Sequence, residues 1–349
     1  MSMYFNGKVF DSEIFGKYID RVPNVKRSQL IKSGAIGTND NAKSALSNGT
    51  GSFFARIPYY GRISSTTSQN NNGATDIVSN NTSTMSQGFI TASRMDSWTE
   101  KSFSKNITGG VDFMDNVAQQ ISEYKQEVKQ DIILAMLKGI YSMDTTGSDI
   151  KAAAAKEFIE NHTLDTSNVE GVAPESLNKA IQKACGDNKS IIKLAIMDST
   201  VATDLENQKL LSFMKYTDAD GITRDLSIAT WNGRTVLIDD DMPTEEKDGN
   251  TLHTTYLLGE GSIVLDEIPD SNPYEIWRDP KANGGEDYLF VRDRFMCGFE
   301  SFSFEGASTV DKSATNADLA NGANWAVINN GDIAIPTKSI AIARLITRG

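Results

Sequence analysis

Residues 110–143 read GVDFMDNVAQQISEYKQEVKQDIILAMLKGIYSM, and the fold turns on this stretch. Apolar side chains recur at Phe113, Val117, Ile121, Tyr124, Val128, Ile132 and Ala135. Gaps of three and four residues are the period of one helical face. Gln119, Glu123, Gln126, Lys129 and Gln130 fall on the other face, and no proline interrupts the run. Thr108 is placed to cap the start, and Asp112 and Asp115 suit the positive end of the helix dipole. At about 1.5 Å per residue the helix would be roughly 50 Å long, more than an ordinary compact domain needs. From Ile132 the pattern is apolar on nearly every side, through Ile133, Leu134, Met136, Leu137, Ile140 and Tyr141. The first half is expected on a surface and the second half in a core.

The 349 residues suffice for one large or two ordinary domains. Hydrophobic content of 39% and charged content of 23% are those of a soluble folded chain. A net charge of −12 argues against affinity for nucleic acid over the whole surface. Cys185 and Cys297 have no metal-ligand or redox spacing and read as two buried free thiols in a reducing compartment. The N-terminal MSMYFNGKVFDSEIF lacks the apolar core of a signal peptide. No apolar run reaches the roughly 18 residues of a membrane span. The expectation is a soluble cytoplasmic chain without membrane contact. His162 and His253 are the only 2 histidines, which leaves little for general-base or metal chemistry.

Upstream of the long helix, residues 1–51 read as an arm. Phe5, Val9, Phe10, Ile14, Phe15 and Tyr18 make a short amphipathic pattern, followed by a run of Gly, Asn and Pro too dense for a packed core. Aromatic groups on such an arm need a partner surface. Residues 52–108 hold two β-rich limbs, SFFARIPYYGRISS and QGFITASRMDSWTEKSFS, around the polar stretch STTSQNNNGATDIVSNNTSTMS. That reads as a long hairpin or extended loop whose aromatic limbs pack against something.

Downstream, residues 150–161 read as a helix and 163–173 as a linker. Pro174 opens a helix that Gly186 closes. SIIKLAIMDS is a buried strand, and Ser199 or Thr200 caps a helix running to Met214, which makes an α/β unit. Asp220-Gly221 and Asn232-Gly233 mark hairpins. Residues 270–290 read as loop, 286–305 as strand, 314–324 as a small polar segment, and the C-terminus as an apolar strand.

No constellation makes a credible active site. Asp239, Asp240 and Asp241 are weak metal candidates, with solvated turn acids the default. Asp218 and Asp220 start a calcium-like loop, but the twelfth position is Ala229. Gly259-Glu260-Gly261 is only part of a phosphate fingerprint, and Ser199 and Ser262 lack a histidine in any triad order. Arg292, Arg294 and Arg344 sit in β-rich segments and must pair, snorkel or face a neighbour. No cofactor and no enzymatic activity are expected.

The order of arm, extended loop, long helix, α/β region and returning strands resembles the major capsid protein of tailed bacteriophages, with the Hong Kong 97-type fold. SFFARIPYYG resembles the strand entering that family's extended loop. LKGIYSM resembles its helix end, WNGRTVLIDDDMP its hairpin into an acid-Pro turn, and VRDRFMCGFESFSF a strand near the end. NADLANGANWAVINNGDIAIPTKSIAIARL resembles the closing segment of one subgroup.

The resemblance implies an α+β phage coat-protein fold. It would comprise an N-terminal arm (1–51), an extended β-loop (52–108), a peripheral domain with the spine helix (109–171) and an α/β axial domain (172–255). A return to the peripheral domain (256–325) and a closing strand segment (326–349) would complete it. It implies self-assembly as pentamers and hexamers into an icosahedral head enclosing double-stranded DNA, in the host cytoplasm. The implied partners are a separate scaffolding protein, a portal, head-decoration proteins and weakly contacted DNA. Inter-subunit candidates are Phe5, Phe10, Phe15, Asn70, Asn72, Asp76, Asn80, Glu123, Arg292 and Arg294. The alternatives are an encapsulin-like bacterial shell protein of the same fold and a β-rich hydrolase or binding protein.

Overall fold

The computed structural model describes residues 33–47, 52–60, 69–74, 76–77, 84–99, 120–212, 229–282, 285–306 and 312–348 in full. For 4–5, 8–9, 100–101, 113–119, 213–217 and 223–228 it describes the backbone alone.

The first half of the chain holds strands β1 (Tyr4–Phe5), β2 (Lys8–Val9), β3 (Ile36–Gly37), β4 (Phe54–Tyr60) and β5 (Thr84–Lys101). Helices α1 (Asp40–Ser47), α2 (Phe113–Tyr141) and α3 (Ile150–His162) follow the same stretch. The α/β region contributes β6 (Thr163–Glu170), α4 (Ser176–Cys185), β7 (Ile192–Met197), α5 (Ser199–Asn207), β8 (Leu211–Thr217), β9 (Thr223–Trp231) and β10 (Arg234–Ile238). Next come β11 (Thr244–Lys247), β12 (Asn250–Gly259), β13 (Ile263–Glu267), β14 (Tyr274–Asp279) and β15 (Glu286–Phe299). The chain ends with β16 (Phe302–Phe304), α6 (Asn316–Ala320), β17 (Trp325–Val327) and β18 (Ile342–Arg348).

Two large sheets organise these elements. One runs β3-β13-β15-β5-β4, with β14 also paired to β15. The other runs β6-β18-β12-β7-β10-β9-β8, with β11 on β12. Ile132, Ile133, Met136, Leu137 and Ile140 of α2 share one core with Phe295 and Phe299 of the first sheet and Leu194, Ile196 and Tyr256 of the second. The apolar second half of α2 thus joins the two sheets. A separate core on the far face of the second sheet packs α4 and α5 against Ala195, Met197, Val236, Leu257 and Leu345.

Gly139 lets the helix end pack this closely. A Cβ there would lie 2.1 Å from the Leu319 carbonyl oxygen and 2.6 Å from the Trp325 indole nitrogen. The Trp325 indole N–H donates to that same carbonyl at 2.7 Å.

Several local expectations change. Gln126 and Gln130, expected on the solvent face, are buried, whereas Tyr124 of the apolar stripe is 37% exposed. The helix rests its first half on strands whose polar side chains reach it, so the buried face there is partly polar. The linker expected at 163–173 contains β6, which runs parallel to β18 at a sheet edge. Edge strands need little apolar alternation, which hid it. Pro174 precedes the first helical turn, because Glu175 holds the N-cap position of α4. Asp198, not Ser199 or Thr200, caps α5 by accepting from the Thr200 N–H, and α5 ends at Asn207 rather than Met214. Leu211–Thr217 pairs as β8 instead. Within the loop-like 270–290, β14 runs between Pro273 and Pro280. The small polar 314–324 holds α6, whose Thr315 and Asp318 form a capping box.

Candidate assembly surfaces

The hairpin limbs pair as expected: β4 and β5 are antiparallel, from Phe54 opposite Ile90 to Tyr60 opposite Thr84. β5 then continues past the hairpin as an interior strand of the first sheet, pairing with β15 from Ile90 opposite Cys297 to Lys101 opposite Glu286. One rigid strand therefore carries the hairpin on the core. At the tip, Asn70, Asn72 and Asp76 are exposed. The Asn72 side-chain oxygen accepts from the Ala74 N–H at 3.0 Å, and Gly73 has a φ of +72°. That left-handed turn favours glycine. Asn80 lies outside the described residues. Exposed apolar groups accompany the hairpin: Tyr60 is 77% exposed and Ile77 87%. Tyr60 is one of the limb aromatics that the sequence marks for packing against something, whereas Ile77 lies inside the polar stretch and carries no such signal.

The first sheet has two unlike faces. Because side chains alternate along a strand, Asp96 and Trp98 of β5 and Asp293 of β15 face α2. Tyr124 donates to Asp96 at 2.9 Å and meets the Trp98 ring edge-on at 5.6 Å. Lys125 donates to Asp293 at 2.7 Å, and Lys129 pairs with Glu267. Burial pushes the Asp293 carboxyl above its usual range, and Lys125 opposes that rise. Hydrogen bonding to Asp96 and burial together push the Tyr124 phenol up to about 12, with burial the larger cause.

The opposite face presents Met95, which is 82% exposed, and Trp277, 53% exposed. Trp277, Tyr288 and Phe290 form an aromatic row with centroid spacings of 5.3 and 6.3 Å. Arg292 lies opposite Met95 and Arg294 opposite Ser93 on this face. Arg292 is paired within the chain, donating to Glu275 and to the Asn272 carbonyl oxygen. Arg294 is half-buried. Trp277 escaped the sequence reading because its strand is short and bracketed by prolines. Arg344 stacks over the Tyr141 ring at 4.4 Å.

Glu123 is exposed on α2. Phe5 lies in β1, opposite Lys8, and its side chain is outside the described residues, as are Phe10 and Phe15. The structure brings Arg292 and Arg294 to one face and leaves the hairpin tip and Glu123 on separate surfaces.

The acidic triplet serves its own turn. The Asp239 carboxylate accepts from the Asp241 N–H at 3.2 Å, and Asp240 accepts from the Ser199 N–H at 3.3 Å. Among the described residues no group of three or more His, Cys, Asp or Glu side chains is placed to hold a metal ion. Both cysteines are free and buried.

A sheet that projects a two-stranded hairpin, a long helix laid across it and a second α/β sheet joined to the first define a phage coat-protein fold. The arrangement matches the capsid subunit of cyanophage Pam1 with a TM-score of 0.53 at 12% identity, covering 100% of this chain and 96% of that one. It matches the head of Helicobacter pylori bacteriophage KHP40 with a TM-score of 0.51 at 12% identity, over 100% and 95%. In sequence, residues 104–333 fit the major capsid protein 13-like family, Gp13-like, and the chain belongs to it. The major capsid protein of Bacillus phage SPP1 is 25% identical over 316 residues, 90% of each chain. The protein is thus a structural coat protein of the bacteriophage virion, and its kind self-associates into a capsid lattice.

Proposed function

We propose that the chain assembles as pentamers and hexamers that close into an icosahedral head around double-stranded DNA. The supporting observation is the β4–β5 hairpin, whose tip and exposed Tyr60 and Ile77 have little cover within the subunit. In this reading the hairpin lies over the neighbouring subunit and the N-terminal arm reaches the same neighbour from below. Asn70, Asn72, Asp76, Asn80, Phe5, Phe10, Phe15, Glu123, Arg292 and Arg294 contribute to contacts between copies. Interfaces of this kind bury more than the roughly 1,600 Å² of a standard complex.

The spine helix and the first sheet form the peripheral domain, and the second sheet forms the axial domain around the capsomer centre. The β6 and β18 strands belong to that axial sheet by pairing. The net charge of −12 suits a container that contacts its DNA weakly. A separate scaffolding protein, a portal and head-decoration proteins complete the head, which forms in the host cytoplasm. The protein has no catalytic role in this scheme.

Deleting residues 66–84 tests the reading. The shortened chain should fold, with the far-ultraviolet circular dichroism of the parent, yet form no shells by negative-stain electron microscopy. Normal shells from the deletion would refute the assembly role of the hairpin.

A further inference from the structure

His162 is the last residue of α3 and is 1% exposed. Its ring stacks on Phe158 at 4.8 Å. Its Nδ1 lies 2.5 Å from the Ile342 carbonyl oxygen and its Nε2 lies 3.0 Å from the Thr337 carbonyl oxygen. Both oxygens belong to the segment that leads into and begins β18. A carbonyl oxygen only accepts, and a neutral imidazole has one N–H. The neutral ring therefore satisfies one of the two contacts and turns a lone pair to the other oxygen. The imidazolium donates to both.

We propose that His162 is a proton-operated latch on the closing segment: the neutral ring holds it by one hydrogen bond, and protonation adds the second. Three elements meet at the latch. Besides the ring contacts, the Thr337 hydroxyl donates to Glu157 of α3 at 3.0 Å, and the Tyr141 hydroxyl of α2 faces the His162 carbonyl oxygen at 3.5 Å. A proton taken up at this point alters how the segment before β18 is tied to α3, and β18 lies inside the axial sheet between β6 and β12.

The surrounding charges set when the latch closes. Burial lowers the His162 pKa below the usual imidazole range, while the two carbonyls and Glu157 favour the charged ring. The C-terminal end of α3 also favours a cation. The cations on the surrounding elements have their own contacts: Arg344 of β18 stacks over Tyr141, Lys338 sits in the turn before β18, and Lys183 of α4 donates to the Thr163 carbonyl oxygen. Tyr141 is held neutral, the Tyr256 phenol is pushed up to about 12 and the Cys185 thiol to about 11, so these neighbours carry no charge near neutral pH. The resting ring is neutral, with its proton on Nδ1 at the shorter contact, and the second bond forms in acid.

With only 2 histidines, the full-length chain can be followed by nitrogen NMR of labelled imidazoles in the unassembled subunit, and H253Q leaves His162 as the sole signal. Expected are a neutral ring protonated on Nδ1 at pH 7.5 and a doubly protonated ring in acid, with a midpoint below that of an exposed histidine. Amide exchange at Ile340, whose N–H donates to the Thr337 carbonyl oxygen at 2.9 Å, should slow several-fold beyond its intrinsic pH dependence across that midpoint. In H162Q the step should vanish. The inference is overturned by a neutral ring protonated on Nε2, by Ile340 exchange indifferent to the titration in the parent chain, or by unfolding before the ring takes its second proton.

Discussion

Replacing Gly139 by alanine probes the close packing of α6 and Trp325 on the end of α2. In an open helix interior this change stabilises by about 0.5–1 kcal/mol, because glycine loses more backbone freedom on folding. At Gly139 the new methyl meets the Leu319 carbonyl oxygen at 2.1 Å and the Trp325 indole nitrogen at 2.6 Å. The nearest obstacle is backbone, so α6 must move away from α2. Overpacking of this kind costs about 1–3 kcal/mol. The shift also breaks the Trp325 to Leu319 hydrogen bond, worth about 1 kcal/mol net. Setting these against the helix gain leaves a net loss of about 1–3 kcal/mol. Urea unfolding of the unassembled full-length chain, followed by tryptophan fluorescence, reads the change, with Lys138→Ala on the exposed side of the same turn as a control expected within about 0.5 kcal/mol of the parent. Should G139A match or exceed the parent midpoint, the close approach of α6 to the helix end is not what glycine serves there.

Leu137, fully buried, and Glu123, exposed, separate the two halves of α2. L137A should cost about 2–5 kcal/mol in denaturant unfolding, whereas E123A should leave subunit stability nearly unchanged and show its effect, if any, in shell yield by electron microscopy. Lys125→Met should cost about 1–3 kcal/mol at pH 7, because Asp293 loses its partner in a partly buried site. Asp293 already has a folded-state pKa above its unfolded value, so its contribution is present below the unfolded pKa and is lost as pH rises through the folded one. Removing Lys125 raises that pKa further, and the K125M deficit should narrow as pH falls toward 4, measured by unfolding midpoints across pH. Burial holds the Cys185 and Cys297 thiols at about 11 and 12, so a thiol reagent should label neither in the folded chain at pH 7.5 and both after denaturation, by mass spectrometry.

The long helix was legible because a 3.6-residue period and an uninterrupted run of good helix formers are local properties. The same holds for the β4–β5 hairpin, the Asn232-Gly233 turn with both residues at positive φ, and the apolar β7 strand. Site residues were legible to the extent that their setting was local. The polar hairpin tip stands out from its neighbours in the chain, whereas Met95 and Trp277 became a common face only when β5, β14 and β15 were laid side by side. Of the options its β-rich setting left open, Arg292 pairs within the chain with Glu275 across the β14–β15 ladder, a contact that no local pattern announces.

Local sequence thus determined that there is a spine, a projecting hairpin and an α/β unit, since each is announced by a pattern within one continuous stretch of chain. Tertiary structure decided the rest. Gln126 and Gln130 are buried because burial along α2 is set by the elements that pack on it and not by the polarity of its own residues. The linker-like 163–170 becomes a strand only because β18, nearly two hundred residues later, offers its backbone. The last strand joins the second sheet rather than the first because its two apolar faces, Ile342 on one side and Ala343 and Leu345 on the other, fit between two cores that exist only once both sheets have formed.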